Sequence, residues 1–100
     1  MGAVLTNTKT SDKLVRKKLI KTLLEQHDTL GVMQELEVAR GRARADVVRL
    51  SRGAIHAYEI KSDLDTLRRL PRQVRHYNEV FSTVTLVVGI NHVVEALYLI

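Results

Sequence analysis

The fold is decided by residues 46–61, which read DVVRLSRGAIHAYEIK. Two apolar segments flank the dipeptide Arg52-Gly53, and a glycine-containing break between two such segments is typical of a β-hairpin turn. A two-residue turn here puts Asp46 directly opposite Glu59 on the neighbouring strand. Lys61 lies two residues beyond Glu59, so its side chain points to the same face of the sheet. The stretch therefore predicts two carboxylates and one amine close together on a hairpin.

A second glycine break, at Arg40-Gly41, extends the hairpin into an antiparallel meander of three strands. A two-residue turn at this break puts Glu35 opposite Asp46, so that three carboxylates form one row across the strands. Glu37 shares the strand face of Glu35 and is the alternative acidic residue. The predicted strands cover residues 32–39, 42–50 and 54–61.

Helical patterns lie on both sides of the meander. Apolar residues recur at helical spacing within 13–27. The basic residues off this stripe form either a solvated face or a DNA-contacting face, and they are Arg16, Lys17, Lys18 and Lys21. After the meander, an amphipathic pattern contains Pro71, so a helix starts near this proline or a short helical turn precedes a kink there. Residues 83–89 predict a buried strand, and 91–100 could form a last helix.

The order helix, three strands, helix, strand predicts an α/β fold, with a mixed sheet that contains the antiparallel meander and is flanked by helices. We expect a single domain over residues 1–100, with a disordered segment at 1–10. Because no stop signal follows the last helical pattern, we also expect a truncated C-terminal end.

Composition narrows the classes of function. The net charge of +5 and the pI of about 9.9 favour a polyanionic partner, for which DNA is the leading hypothesis. The absence of cysteine excludes thiol catalysis and thiolate metal sites, and it suits a cytoplasmic location. No apolar run is long enough for a membrane span. A chain of 100 residues buries a thin core, which favours a homo-oligomer.

The row of carboxylates predicts a metal site. Carboxylates that face one another persist as anions only when a cation joins them, and oxygen ligands without histidine or cysteine favour Mg²⁺ or Mn²⁺. We expect Asp46, Glu59, Glu35 and the backbone carbonyl of Ile60 as ligands. The alternative is an ordinary ion pair between Glu59 and Lys61 on an exposed strand face.

The pattern of Asp46, a short hairpin and the tripeptide Glu59-Ile60-Lys61 resembles that of the PD-(D/E)XK nuclease superfamily. The segment Gln73-Val74-Arg75-His76-Tyr77 is similar to the Q-x-x-x-Y motif of its RecB-like members, and small VRR-Nuc-like nucleases belong to the same superfamily. The resemblance implies a restriction-endonuclease-like core of order αβββαβ over residues 11–89.

The resemblance also implies a role for each matching residue. Asp46 and Glu59 would be metal ligands, Lys61 the catalytic lysine and Glu35 the upstream acidic residue. Gln73 and Tyr77, which are four residues apart and share one helix face, would support the site or contact nucleic acid.

The leading hypothesis is therefore an enzyme, a Mg²⁺-dependent nuclease that hydrolyses DNA phosphodiester bonds. Arg68, Arg72 and Arg75 follow the meander, and they either contact phosphates or form a solvated helix face. The alternative hypothesis is a non-catalytic nucleic-acid-binding or interaction protein on the same fold.

Overall fold

The computed structural model describes residues 2–6 and 12–99, with the side chains of 12–99. A five-stranded mixed sheet has the strand order β1-β5-β4-β3-β2 and carries three α-helices. The elements are β1 (Gly2–Thr6), α1 (Asp12–Glu25), β2 (Thr29–Val38), β3 (Ala43–Ser51), β4 (Ala54–Lys61), α2 (Leu70–Val80), β5 (Thr83–Gly89) and α3 (Val93–Leu99). A single 3-10 turn, Ile90–His92, precedes α3. The predicted α/β class and the mixed sheet flanked by helices are confirmed.

Strands β2, β3 and β4 pair in antiparallel order and form the predicted meander. Strand β5 returns through α2 and pairs parallel with β4, and β1 pairs parallel with the other side of β5. Residues 2–6, within the segment expected to be disordered, form β1, because the outer edge of β5 offers backbone groups that this short segment pairs with. Residues 1 and 7–10 lie outside the described part.

Helices cover both faces of the sheet, so the core has one part on the face of α1 and another on the face of α2 and α3. The side chains packed beneath α1 are Val15, Leu23, Val47, Ile60 and Val87. Those beneath α2 are Ala43, Ala45, Val48, Ala57, Tyr77, Phe81 and Val84, and a neighbouring group under α2 and α3 comprises Leu67, Leu70, Val74, Leu86, Val88 and Ala96.

Helix α2 begins at Leu70, so Pro71 lies in its first turn. A proline is accepted there because the first backbone N–H groups of a helix have no intrahelical partner. Of the two predicted arrangements, the helix that starts near Pro71 is therefore the one observed. Strand β2 begins at Thr29, three residues earlier than expected, because Thr29 pairs with Ser51 across an irregularity in the ladder.

The register of the meander is the predicted one on both sides of β3. Val47 pairs with Tyr58 across the Arg52-Gly53 turn, as a two-residue turn requires. Val38 pairs with Ala43, so the first connection is a loop of four residues, centred on Arg40-Gly41, instead of a two-residue turn. The longer loop keeps the register because it adds one residue on each side of the same centre.

Gly53 has a φ of +77°, in the left-handed region that a side chain disfavours. We expect Gly53→Ala to lower the free energy of unfolding by about 1 kcal/mol, since alanine strains this backbone conformation. Urea unfolding of both variants provides the test, with Gly31→Ala as the matched control. A Cβ at Gly31 meets only Leu50 Cδ1 at 4.0 Å, so an equal loss in both variants would contradict the role assigned to the turn.

Candidate functional site

Strands β2 and β3 both change face at one place near the start of β3. In a regular strand, residues two apart point to the same side of the sheet. Ala45 packs beneath α2, however, whereas Val47 packs beneath α1. The side chains of β3 therefore switch from one face of the sheet to the other at Asp46, which lies between these two residues.

The same change occurs on β2, opposite Asp46. Glu35 has a φ of +54°, a strained conformation for a residue with a side chain. Backbone pairing passes from Gln34–Val47 directly to Leu36–Ala45, so one residue on each strand is left out of the ladder. The regular row of carboxylates predicted from the turns is therefore replaced by two carboxylates that bend away from the sheet.

Arg16 of α1 fills the space that these carboxylates surround. Its guanidinium lies 2.5 Å from Glu35 Oε1, 3.3 Å from Asp46 Oδ1 and 3.4 Å from Asp12 Oδ2. The Arg16 side chain is only 17% exposed. A cation is required where carboxylates meet and one of them, Asp46, is largely buried, and Arg16 supplies it from within the chain.

The Asp46 side chain also accepts a hydrogen bond from β4 beyond the point where the backbone pairing of β3 and β4 ends. The last backbone pair of this hairpin is Val47–Tyr58, and the backbone N–H of Ile60 donates to Asp46 Oδ2 at 2.7 Å. Burial raises the pKa of Asp46, while the Ile60 N–H and Arg16 act to lower it. Asp46 thus connects α1, β3 and β4 through a single side chain.

Glu59 lies on the α2 side of the sheet and is 3% exposed. Three polar atoms contact its carboxyl group: Tyr77 Oη at 2.7 Å, Lys61 Nζ at 3.3 Å and Gln73 Nε2 at 3.3 Å. Burial, with repulsion from Asp46, raises the pKa of Glu59 from 4.5 to about 7, although Lys61 and Tyr77 oppose the rise. Glu59 is therefore a buried carboxyl group that titrates near neutral pH.

The Tyr77 hydroxyl lies between two acceptors, one of which is Glu59. Tyr77 Oη lies 2.7 Å from both Glu59 Oε1 and the backbone carbonyl oxygen of Arg44. A tyrosine hydroxyl has one proton to donate, so it cannot satisfy two acceptors at once. Both contacts become hydrogen bonds when Glu59 is protonated and donates to Tyr77 while Tyr77 donates to Arg44.

These residues border a groove of about 680 Å³ where β4 ends and where β3, α1 and α2 begin. Six acidic residues line the groove: Asp12, Glu35, Glu37, Asp46, Glu59 and Asp65. Five basic residues also line it: Arg42, Arg44, Lys61, Arg69 and Arg72. Within residues 12–99, the guanidinium groups of Arg42, Arg69 and Arg72 have no carboxylate within ion-pair distance. The groove thus combines acidic groups with unpaired arginines.

Most of the predicted site residues lie together around this groove, but two do not. Asp46, Glu59, Lys61, Glu35, Ile60, Gln73 and Arg72 all line it. Tyr77 does not line the groove itself but contacts Glu59, which does. Arg68 and Arg75 are exposed but lie outside the lining. The catalytic and ligand roles given to these residues stay predictions.

The sequence interpretation missed three residues of the groove region. Arg16 was placed with the lysines of a polar helix face, although its spacing of four from Asp12 indicates an ion pair on α1. Arg42 and Arg69 flank predicted elements, in a turn and before a helix, and nothing in their immediate sequence separates them from ordinary surface arginines. Only the approach of the turn 39–42 to the start of α2 brings them together.

The two most buried carboxylates of the groove already have partners within the chain. Among residues 12–99, no three aspartate, glutamate, histidine or cysteine side chains are grouped so that they could hold one. Both oxygens of Asp46 and both oxygens of Glu59 already face N–H or O–H donors of the chain. The Mg²⁺ or Mn²⁺ site therefore stays a prediction from the sequence.

Among the helices of the described residues, none has the length and apolar character needed to cross a membrane. The cytoplasmic location and the homo-oligomer stay predictions.

Comparison with known proteins identifies relatives of this chain. A family model described as Bacteriophage P4 protein cII matches residues 6–100. Protein cII of Enterobacteria phage P4 is 39% identical over 56 residues, which are 56% of this chain and 21% of that protein. The matched part therefore spans about a fifth of the length of this relative. No solved structure matches the chain.

These matches overturn the assignment to the PD-(D/E)XK superfamily. The family match covers residues 6–100, so it replaces the superfamily assignment for nearly the whole chain. The predictions that depended on that assignment are therefore wrong: nuclease activity, the enzyme class and the terms hydrolase and endonuclease. A short motif is a weak guide here for a physical reason. Glu59, Lys61, Gln73 and Tyr77 form one buried hydrogen-bonded group, and such a group needs the same residue types as the motif.

Proposed function

Since the chain belongs to the bacteriophage P4 protein cII family, we propose that it is a non-catalytic nucleic-acid-binding domain, with DNA as its partner. The single observation that carries the proposal is the set of three unpaired arginines, Arg42, Arg69 and Arg72, around one groove. Unpaired arginines on one surface are the usual contacts for phosphate groups.

The start of α2 adds to the attraction for an anion. The positive end of a helix dipole favours negative charge, yet the first turn of α2 contains no acidic residue and no side chain caps it. Arg69 and Arg72 lie at this same end and line the groove. Repulsion between these charges and the dipole is relieved when a phosphate lies between them.

The two most buried acidic residues below the arginines, Asp46 and Glu59, have cationic partners within the chain. Arg16 pairs with Asp46 and Glu35, and Lys61 pairs with Glu59, whose pKa of about 7 keeps part of it protonated. Together with the net charge of +5, this leaves the arginines free to attract a polyanion.

We take the αβββαβ arrangement as a restriction-endonuclease-like core that serves binding alone. The order α1, β2, β3, β4, α2, β5 supports this view of the fold. The hydrogen-bonded group around Glu59 then has a structural purpose, because it holds the end of β4 against α2.

Arg42→Ala is expected to weaken DNA binding about fivefold at low salt. It should also reduce the slope of log K against log salt concentration by about 1, the value expected for one lost phosphate contact. Fluorescence anisotropy with a labelled oligonucleotide at several salt concentrations measures both quantities. The matched control is Arg52→Ala, since Arg52 is also an exposed turn arginine next to a glycine but lies at the other end of β3.

A loss of equal size in both variants would show that net charge alone attracts DNA and would contradict the groove. The labelled DNA should be recovered at full length after incubation, in keeping with binding without cleavage. Absence of binding by the unsubstituted chain would overturn the proposal.

A further inference from the structure

The shape of the groove restricts which nucleic acid can occupy it. Proteins read duplex DNA by placing a convex element, such as a helix, into the major groove. Here the unpaired arginines Arg42, Arg69 and Arg72 surround a concavity of about 680 Å³. A volume of this size is typical of sites that enclose a small molecule, so it accepts one or a few nucleotides but no double helix.

The accessible acidic groups restrict how a nucleotide can lie. Glu37, Glu35 and Asp12 expose 64%, 46% and 48% of their side chains within the groove lining. Phosphate groups are repelled by carboxylates, so they must remain with the arginines at the border. The groups of a nucleotide that a carboxylate attracts are the donors of the base, above all the exocyclic amino groups of cytosine, adenine and guanine.

Arginine can also provide the contact that holds an unpaired base. Proteins that bind single strands stack bases on aromatic rings or on guanidinium planes. No aromatic side chain lines the groove within the described residues, since Tyr77 is buried beneath it. The guanidinium groups of Arg42, Arg69 and Arg72 are the planar groups available.

From the concave shape and the placement of charge, we infer that the groove binds an unpaired strand, with its phosphates on the arginines and its bases turned toward the carboxylates. The inference rests on the proposed nucleic-acid binding and adds the class of ligand and its orientation. Single-stranded DNA rich in cytosine, adenine or guanine is preferred over thymine-rich strands, because thymine has no exocyclic amino group.

The test measures anisotropy of labelled dodecamers of dC, dA and dT, and of a mixed-sequence duplex of the same length. The dC and dA strands are expected to bind about tenfold more tightly than the duplex, with dT weaker than both. Glu37→Gln is the informative variant, because Glu37 has one long ion pair, 3.7 Å to Arg44, and its substitution disturbs no buried group.

The sign of the effect of Glu37→Gln separates the two orientations. With bases toward the carboxylates, this variant weakens dC and dA binding about tenfold, as expected for a hydrogen bond to a charged group, and leaves dT unchanged. Stronger binding of every strand by Glu37→Gln would place phosphates near Glu37 and overturn the inference. Glu79→Gln, on the exposed side of α2 and outside the groove lining, is the control for a change in net charge.

Duplex binding that equals or exceeds single-strand binding would also overturn the inference, while the proposed function would stand. If no strand and no duplex binds, both the inference and the proposed function fall.

Discussion

The free energy of unfolding is expected to fall by about 3 kcal/mol as the pH rises from 4.5 to 8, and Glu59→Gln should remove most of this fall. Glu59 has a pKa of about 7 in the fold, against its ordinary value of 4.5. Between these values the folded chain holds a proton that the unfolded chain has released. Glu59 therefore stabilises the fold most fully at low pH, and this contribution is lost as the pH rises through about 7.

Glutamine suits the test because it has the shape of the protonated acid and can donate to Tyr77 Oη in the same way. Urea unfolding at pH 4.5, 6, 7 and 8 measures the dependence for the unsubstituted chain and for Glu59→Gln. Asp46 also has a raised pKa, so a smaller fall with the same sign should remain in the variant. Equal pH dependence in the two proteins would show that Glu59 is ionised in the fold throughout this range.

Arg16→Met is expected to lower the free energy of unfolding by about 2 kcal/mol, since it leaves partly buried carboxylates without their cation. The side chains of Arg16 and Asp46 are 17% and 16% exposed, so water compensates little for the loss. Lys17→Met is the matched control, because Lys17 neighbours Arg16 on α1 but is exposed and has no ion pair among the described residues.

A double variant tests the reason for the loss. In Arg16→Met with Asp46→Asn, the most buried of the uncompensated charges is gone, and part of the stability should return although two contacts are missing. A double variant that loses the sum of the two single effects would mean that Arg16 stabilises by packing alone. Equal stability of Arg16→Met and Lys17→Met would exclude any role for Arg16 as the internal cation.

The sheet could be predicted well because its signals are local. The breaks at Arg40-Gly41 and Arg52-Gly53 lie between short apolar segments, and the register of a hairpin follows from the centre of its turn. The register on both sides of β3 is as expected for this reason. Strand β1 was missed because its partner, β5, lies more than 70 residues later and nothing near Gly2–Thr6 indicates it.

The site could be predicted only in part, because its residues are joined by contacts that no short stretch reveals. Opposed positions on strands brought Asp46 and Glu59 to the groove. The same rule failed to foresee that Glu35 and Asp46 leave the ladder, since either residue type fits a regular strand. Arg16 comes from another element entirely, and its role depends on how α1 lies across the sheet.

The functional hypothesis failed where it moved from residue types to chemistry. Two carboxylates and a lysine are equally the parts of a metal site and of a buried hydrogen-bonded group. Glu59, Lys61 and Tyr77 form such a group, while Arg16 supplies the cation at Asp46. The letters of the motif cannot distinguish these outcomes, because they do not say where the nearest guanidinium lies.

The change of face on β2 and β3 has a consequence for how the length of this chain can vary. If Glu35 or Asp46 were lost alone, the other strand would keep a one-residue bulge. If both were lost, Gln34–Val47 and Leu36–Ala45 would become consecutive pairs, and Ala45 and Val47 would still face opposite sides, as they do now. A matched pair of deletions here therefore keeps the faces of the sheet, although it removes the carboxylate that accepts from the Ile60 N–H. The two positions are unpaired in the β2–β3 ladder, which leaves the side chain of Glu35 free to reach α1 and that of Asp46 free to reach both α1 and β4.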